Sequence, residues 1–401
     1  MSKNFVFISP TFPDNYYQFP QKWKECGGVS LCVGEDNYDT LKPELKAACD
    51  EYYQVDSMHN YDAMYRAVAW FAHKHGKIDW LESNNEYWLE QDAKLRTDFN
   101  ITTGEKEEDV YRFRKKSNMK AFYKKAGATV ARHHLVTTYE EGKKFVDMVG
   151  YPVIVKPDNG MGANGTWKIK NESDLKEFYD ITLDTQYIME EYVDGYIVSF
   201  DGIVDQQGNI IYKTSHVFPN PIMDIVNNAE ECMYYSEREI PKDLDEIGTN
   251  VIKKFNIKGR FFHTEYFRLN KEKEGLGKKG DLVALEVNMR PPGGYSPDMM
   301  NYSDDIDVYR LFAEMAMGTA TPILRNKKYH CVYVGRRNGQ TYKNNEEKIL
   351  KKYKKHLVMQ GEMADALSTA LGNTYYIARF ESLDDVNAFI QYTLVKKAGK
   401  K

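Results

Sequence analysis

The sequence predicts an α/β protein: a small parallel α/β unit at the N-terminus, followed by mixed α+β units built on antiparallel strands. Three observations lead there. Over residues 1–105, short apolar strand-like runs alternate with helix-patterned stretches, as in a parallel sheet flanked by helices. Farther along, β-branched and aromatic runs come in neighbouring pairs joined by turns or charged excursions, as antiparallel strands do. Between these regions lies a strand that runs straight into a glycine-rich loop, GYPVIVKPDNGMGANG, at residues 150–165.

Taken in order, Phe5–Ile8 reads as a first strand and Ser9–Pro13 as the loop at its C-terminal end. Phe19–Cys26 is a helix candidate, Val29–Gly34 a second strand and Leu41–Cys49 a weak helix. Ala63, Ala67, Val68 and Phe71 give Tyr61–His75 helical spacing, and Ile78–Leu81 resembles another strand. Asn100–Gly104 marks a turn into a new unit. Asp109–Val130 reads as a helix followed by an extended segment, and its five basic residues from Arg112 to Lys120 suit a solvated face. His133 and His134 fall on a short strand or turn. Tyr151–Val155 is a buried strand, and Thr166–Ile169 returns as its neighbour. Asn171 or Ser173 caps a helix reaching Tyr179, and Tyr187–Val193 is a strand ending in a linker.

Ile197–Val204 and Ile210–Ser215 form a hairpin about Gln207-Gly208-Asn209, followed by a helix from Pro241 to Phe255. Phe261–Leu269 and Leu282–Asn288 form a second antiparallel pair across the charged excursion KEKEGLGKKGD. Asp307–Met317 is a helix stopped by Gly318, and CVYVG and YYIARF are strands around a lysine-rich segment. Ser382 opens the last helix. This organisation divides the chain at 1–105, 106–192 and 193–401.

With 401 residues, 42% hydrophobic, 28% charged and a formal net charge of −4, the composition is that of a soluble globular protein. The 55 basic residues are outnumbered by 59 acidic ones, so no global field favours nucleic acid. The five cysteines are scattered and include no CxxC, which argues against structural zinc and suits a reducing cytosol. The start, MSKNFVFISPTF, reads as a strand rather than a signal peptide, and no apolar run reaches the about 18 residues of a membrane span. A cytoplasmic protein is expected.

Chemistry concentrates at two places. Lys156 ends its strand, and Gly160, Gly162 and Gly165 loosen the loop after it. Loop amides can approach an anion there while the ammonium adds a point charge, and the loop can fold over phosphates. The lysine precedes the glycines, so this is not the GxxxxGK[ST] arrangement, and no GxGxxG occurs. The second place is the later strand pair. Alternation puts His263, Glu265 and Phe267 on one face of the first strand. On the second it groups Val283, Leu285 and Val287 against Ala284, Glu286 and Asn288, with Arg290 following in the latter register. Glu265, Glu286 and Asn288 then form a hard-oxygen site suited to Mg2+ (or Mn2+) with phosphate ligands. Arg290 is placed for a phosphoryl group or carboxylate, and the RPPGG run it opens holds the backbone in a fixed bend.

In this combination and order the sequence resembles the ATP-grasp carboxylate–amine ligases, nearest the branch of amino-acid ligases and carbamoyl-phosphate-synthase-like proteins. The resemblance covers nearly the whole chain. It implies an N-terminal parallel α/β domain and two mixed α+β subdomains that grip the nucleotide. KKSNMKAFYKKAGATVAR resembles the family's first nucleotide lysine segment, with Lys116 in the lysine position. YPVIVKPDNGMGANG resembles the second, giving Lys156 to adenine or the α-phosphate. MEEYVDG resembles the hinge, where the backbones of Glu191 and Val193 would read the adenine edge. HTEYF and LEVNMRPPGG resemble the metal strands, giving Glu265, Glu286 and Asn288 to Mg2+ and Arg290 to the reacting phosphate. Lys213 and His216 would point into the same cleft, toward phosphate or substrate; the alternative is a locally satisfied side chain.

Two departures stand out. Where the family commonly carries a ribose-binding glutamate, this chain has Ile197, which passes that contact to another group, Glu190 or Glu191 among them. After Arg290 it has PPGGYSPDMM in place of a histidine-proline-valine-threonine-glutamate segment, which counts against bicarbonate and biotin.

The implied reaction uses ATP to convert a small-molecule carboxylate into an acyl phosphate, which an amine attacks to give an amide, ADP and phosphate. Arg290, Lys156 and Glu286 would carry the catalysis. The alternatives are a non-catalytic ATP-binding regulatory or structural protein and a small-molecule kinase. Dimerisation through the N-terminal domain is an expectation from the resemblance alone.

Overall fold

The apolar run Asn4–Ile8 forms β1, buried along its whole length at the centre of a four-stranded parallel sheet. This computed structural model describes residues 2–160, 165–219, 230–325 and 327–397. β1 is flanked by β2 (Val29–Gly34) and β4 (Trp80–Glu82), and β3 (Glu51–Gln54) takes the outer edge in the order β3-β2-β1-β4. The sequence reading has only three of these strands. EYYQ carries a polar residue at each end and is half-buried, so it lacks the apolar run that marks its neighbours.

A second, four-stranded sheet has the order β6 (His133–Leu135), β9 (Tyr187–Glu191), β7 (Val153–Pro157), β8 (Trp167–Ile169). The unread helix Tyr139–Val149 packs on it, capped by Thr138 accepting from the Glu141 amide. β5 (Thr129–Val130) instead pairs in parallel with a strand of the third sheet. The stretch read as one helix breaks at Lys115 into Tyr111–Arg114 and Lys116–Lys125. Met119 and Tyr123 of the longer piece join Phe200, Phe255, Phe262 and Tyr266 in one core. So the first part of 106–192 builds the large sheet's layer, because its apolar stripe is buried there rather than on the small sheet.

The third sheet has nine strands: β16 (Leu357–Glu362), β17 (Thr374–Phe380), β15 (His330–Arg336), β12 (Met233–Ser236), β11 (Ile210–Phe218), β10 (Gly195–Val204), β13 (Arg260–Leu269), β14 (Leu282–Asn288) and β5. β10 and β13 run antiparallel over ten residue pairs, from Gly195↔Leu269 to Val204↔Arg260. One face packs on the helix Lys242–Phe255. The other meets the N-terminal unit through Phe261, Ile203 and Tyr212, against Phe5, Phe19 and Trp23, with Phe312 of the helix Val308–Met317 in the same core. Arg260, buried at the start of β13, pins this contact. It pairs with Glu82 at 3.1 Å, with Glu105, and donates to the Met289 carbonyl at 2.7 Å. Among the described residues, no helix is long and apolar enough to cross a membrane.

Gly202 sits where three strands meet. A Cβ there would lie 2.0 Å from the Tyr212 carbonyl oxygen and 2.8 Å from the Phe262 ring. Gly202→Ala is expected to destabilise the protein by about 1–3 kcal/mol, the range for overpacking. A urea midpoint equal to wild type would show that the sheet opens freely at this point.

Candidate functional site

The two carboxylates of the later strand pair stand directly opposite each other: Glu265 is the cross-strand partner of Glu286, and His263 that of Asn288. The register then slips, because Tyr266 pairs with Ala284 and leaves Leu285 as an extra residue in β14. This bulge corrects the strict alternation read from the sequence. Ala284 and Val287 share the core with Tyr266, while Val283 joins Leu269 and Phe267 on the other face. Glu286 and Asn288 share the face of Glu265 by direct pairing, and the extra residue lets Ala284 turn to the core with Tyr266. The Tyr123 hydroxyl donates to the Glu286 carbonyl at 2.7 Å and ties β14 to the helix above.

That helix, Lys116–Lys125, buries Lys116, Met119, Lys120 and Tyr123 on one face. Two lysines on a buried stripe need partners. Lys116 lies 3.4 Å from Glu286, and its ammonium also donates to the Gly160 carbonyl at 2.7 Å. Lys120 lies 2.7 Å from Glu190, whose other oxygen is 2.9 Å from Lys156. Burial pushes the Lys120 ammonium below its ordinary pKa. It acts on Lys156 in the same direction, but the charges of Glu190 and Glu286 outweigh it and raise that group. Burial likewise opposes ionisation of Glu190, yet the two lysines hold its carboxyl well below the usual range.

The stem of the glycine loop is tied to the same helix. Asp158 accepts from the Ser117 amide and hydroxyl, each at 2.8 Å, capping the helix where Lys116 emerges. Gly165 has φ 70°, in the left-handed region open to glycine. Gly162 and residues 161–164 lie outside the described residues.

Glu190 and Glu191, the ribose candidates of the sequence reading, both carry ion pairs in this structure. Glu190 is committed to its two lysines. Glu191 takes Arg132 bidentately, at 3.1 and 2.7 Å, and stands 3.3 Å from Lys273. Its amide donates to the Arg132 carbonyl at 3.0 Å, and Val193 packs in a small core with Val283 and Leu269. Lys213 needs a correction too. It is three residues from His216, so a strand sends the two to opposite faces. The Lys213 ammonium bonds Asp245 on the far helix at 2.7 Å.

His216 does share the face of Glu265, but it is fully buried. Its Nδ1 lies 2.7 Å from Asp201, and its Nε2 has no hydrogen-bond partner among the described residues. Asp201 also meets His263 Nδ1 at 2.6 Å, and His263 Nε2 lies 3.3 Å from Glu265. Burial works against charge on the His263 ring, but Asp201 and Glu265 carry its pKa up to about 9. Burial also raises Glu265, yet His263 and Arg290 hold it below the usual carboxylate range.

Arg290 donates to the Pro291 carbonyl at 2.8 Å, and its Nε stands 4.0 Å from Glu86, a buried residue just after β4. Burial raises the Glu86 pKa against the pull of Arg290 and Arg114. Lys120, Asp201, His263 and Glu86 were not among the sequence candidates. Lys120 was legible as the i+4 neighbour of Lys116, and His263 as the i−2 neighbour of Glu265. Glu86 had no local signal.

Glu190→Gln leaves two buried ammoniums without their counter-charge. A loss of about 3 kcal/mol or more is expected in urea unfolding, as when one partner of a buried pair is removed. Because the folded Glu190 pKa is depressed, its contribution is complete above the ordinary glutamate pKa of about 4.3 and fades as pH falls below it. The gap between wild type and variant should therefore be full at neutral pH and narrow in acid. A gap that is constant or absent would mean that solvent serves the lysines.

Residues 115–229 match the family described as "Carbamoyl-phosphate synthase L chain, ATP binding domain". The N-terminal section of the carbamoyl phosphate synthase large chain from Methanopyrus kandleri is 24% identical over 229 residues, 55% of this chain but 38% of that one. In structure, the chain is similar to an L-amino acid ligase from Bacillus licheniformis, with TM-score 0.72 at 15% identity, over 97% of this chain and 96% of that one. It is also similar to the biotin carboxylase domain of the Hydrogenobacter thermophilus 2-oxoglutarate carboxylase, with TM-score 0.71 at 14% identity, over 97% and 89%. Residues 115–229 thus match a carbamoyl-phosphate synthase ATP-binding domain, while over nearly its whole length the chain shares the fold of these two solved structures.

Proposed function

We propose that this protein is an ATP-dependent, ADP-forming ligase that joins a small-molecule carboxylate to an amine. The observation that carries the reading is the in-register pair Glu265 and Glu286, with Lys116 and the Glu190-bound Lys156 on one side and Arg290 on the other. The donor set fits a divalent cation: two carboxylates and the Asn288 amide share one sheet face, and hard oxygens are what Mg2+ or Mn2+ prefers. Glu265, Glu286 and Asn288 would hold it, and it would neutralise charge on the phosphates of ATP.

The chain's own residues divide the remaining work. Lys116 and Lys156 set two ammoniums toward the triphosphate, each kept in place by a carboxylate. The Arg290 fork steadies the phosphoryl group as it passes to the substrate carboxylate. The amine then forms the C–N bond as the C–O bond to phosphate breaks, releasing phosphate and a proton. Orientation and electrostatics suffice, without a protein nucleophile. The structurally similar Bacillus licheniformis protein is named for L-amino acids, which makes amino acids the first class to screen.

Incubation with ATP, Mg2+ and pairs of amino acids or small carboxylates is expected to yield amide and equimolar phosphate, seen by mass spectrometry. A phosphorylated product released without amide would make the protein a kinase, and binding without turnover a regulatory protein. Glu286→Gln should lower turnover at least about 100-fold with an unchanged circular dichroism spectrum. Arg290→Lys keeps the charge but loses the planar fork, so turnover should collapse while nucleotide affinity falls modestly. A fully active lysine variant would return Arg290 to an ordinary surface role.

A further inference from the structure

Behind the carboxylate pair, one step deeper along the same sheet face, lies a fully buried carboxylate that the proposed reaction does not use. In the paired strands, Ser199 stands opposite both Glu265 and His216, and Asp201 stands opposite His263. The side chains of Ser199, Asp201, His216, His263 and Glu265 therefore line one face in two successive rows. Both oxygens of Asp201 are committed. Oδ1 lies 2.6 Å from His263 Nδ1, and Oδ2 lies 2.7 Å from His216 Nδ1 and accepts the Ser199 hydroxyl.

This arrangement determines how Glu265 can stand. A glutamate has three rotatable bonds, and burial of its tip is costly unless something holds it. Here the holder is His263 Nε2, 3.3 Å from Glu265 Oε1. An imidazole presents Nε2 in one direction only while its ring plane is fixed, and the Asp201 bond to Nδ1 fixes it. Asp201 in turn cannot swing, since His216 and Ser199 engage its second oxygen.

We propose that Asp201 is a positioning residue for Glu265, acting through His263, and that it sets the cation affinity of the site without touching the cation. The inference rests on the reading of Glu265 as a ligand of the divalent cation. Partners that orient metal-ligating side chains typically matter by about 10- to 100-fold in metal affinity.

The test uses the full chain and Mn2+ as the probe. Free Mn2+ is counted by electron paramagnetic resonance during titration in the presence of saturating ADP. In parallel, binding of a fluorescent adenine nucleotide is measured in EDTA, and folding by thermal denaturation. Asp201→Asn is expected to weaken Mn2+ binding about 10- to 100-fold while leaving nucleotide binding in EDTA unchanged. His263→Asn keeps a donor for Asp201 but has no atom at the Nε2 position, and is expected to give the same shift. The double variant should be no weaker than either single one, because the two act in series.

Should Asp201→Asn fail to fold, His263→Asn decides alone. Mn2+ affinity equal to wild type in the folded variants overturns the inference and leaves the metal site standing. Equal losses of Mn2+ and of metal-free nucleotide binding overturn it in favour of a purely structural role. A wild-type protein that takes up no Mn2+ with ADP refutes the cation reading itself, and the inference with it.

Discussion

Two carboxylates held face to face on neighbouring strands set the terms for everything around them. Cross-strand neighbours approach to about 5 Å, where like charges oppose each other by about 3 kcal/mol even at a moderate effective dielectric. Glu265 and Glu286 are nevertheless kept in that relation by the antiparallel pairing of β13 and β14 and by a hydroxyl from the helix above. Positive charge is gathered about them in answer: Lys116 beside Glu286, the His263 ring beside Glu265, and Arg290 at the rim. These cationic neighbours offset the repulsion within the pair.

The same economy governs the lysines. A desolvated ammonium is costly, and Glu190 relieves two at once, Lys120 on the helix and Lys156 at the end of β7. The small sheet therefore contributes more than a wall. Its strand β9 delivers the acid that holds Lys120 and Lys156, and its next residue, Glu191, engages Arg132 and Lys273 at the crossing into the large sheet. Both acids are structural members of the cleft, each tied to two cationic partners.

The N-terminal unit is joined to this cleft through buried charge as well as apolar packing. Arg260 opens the strand that carries His263 and Glu265, and it also holds the Met289 carbonyl, one residue before Arg290. Its partners Glu82 and Glu105 come from the N-terminal unit and its exit. One guanidinium thus sets the strand, the arginine loop and the unit that faces them in a common frame. Glu86 extends that frame to Arg290 itself.

By itself the sequence determined what depends on local period. Alternation along Phe261–Leu269 put His263 with Glu265, the glycines after Lys156 marked a loop that can approach an anion, and strand–helix alternation implied the parallel N-terminal sheet. Side-chain direction follows from the backbone over a few residues, so such features are legible without partners. Only the tertiary structure decided which carboxylates are spent and which remain available. Glu190 and Glu191 read alike in MEEYVDG, yet their partners Lys120, Lys156, Arg132 and Lys273 come from four separate segments. The bulge at Leu285 was hidden for the same reason, since an extra residue is defined only against the strand it faces. Asp201 gave no signal at all: its meaning lies in two histidines 15 and 62 residues away, brought to its oxygens by strand pairing.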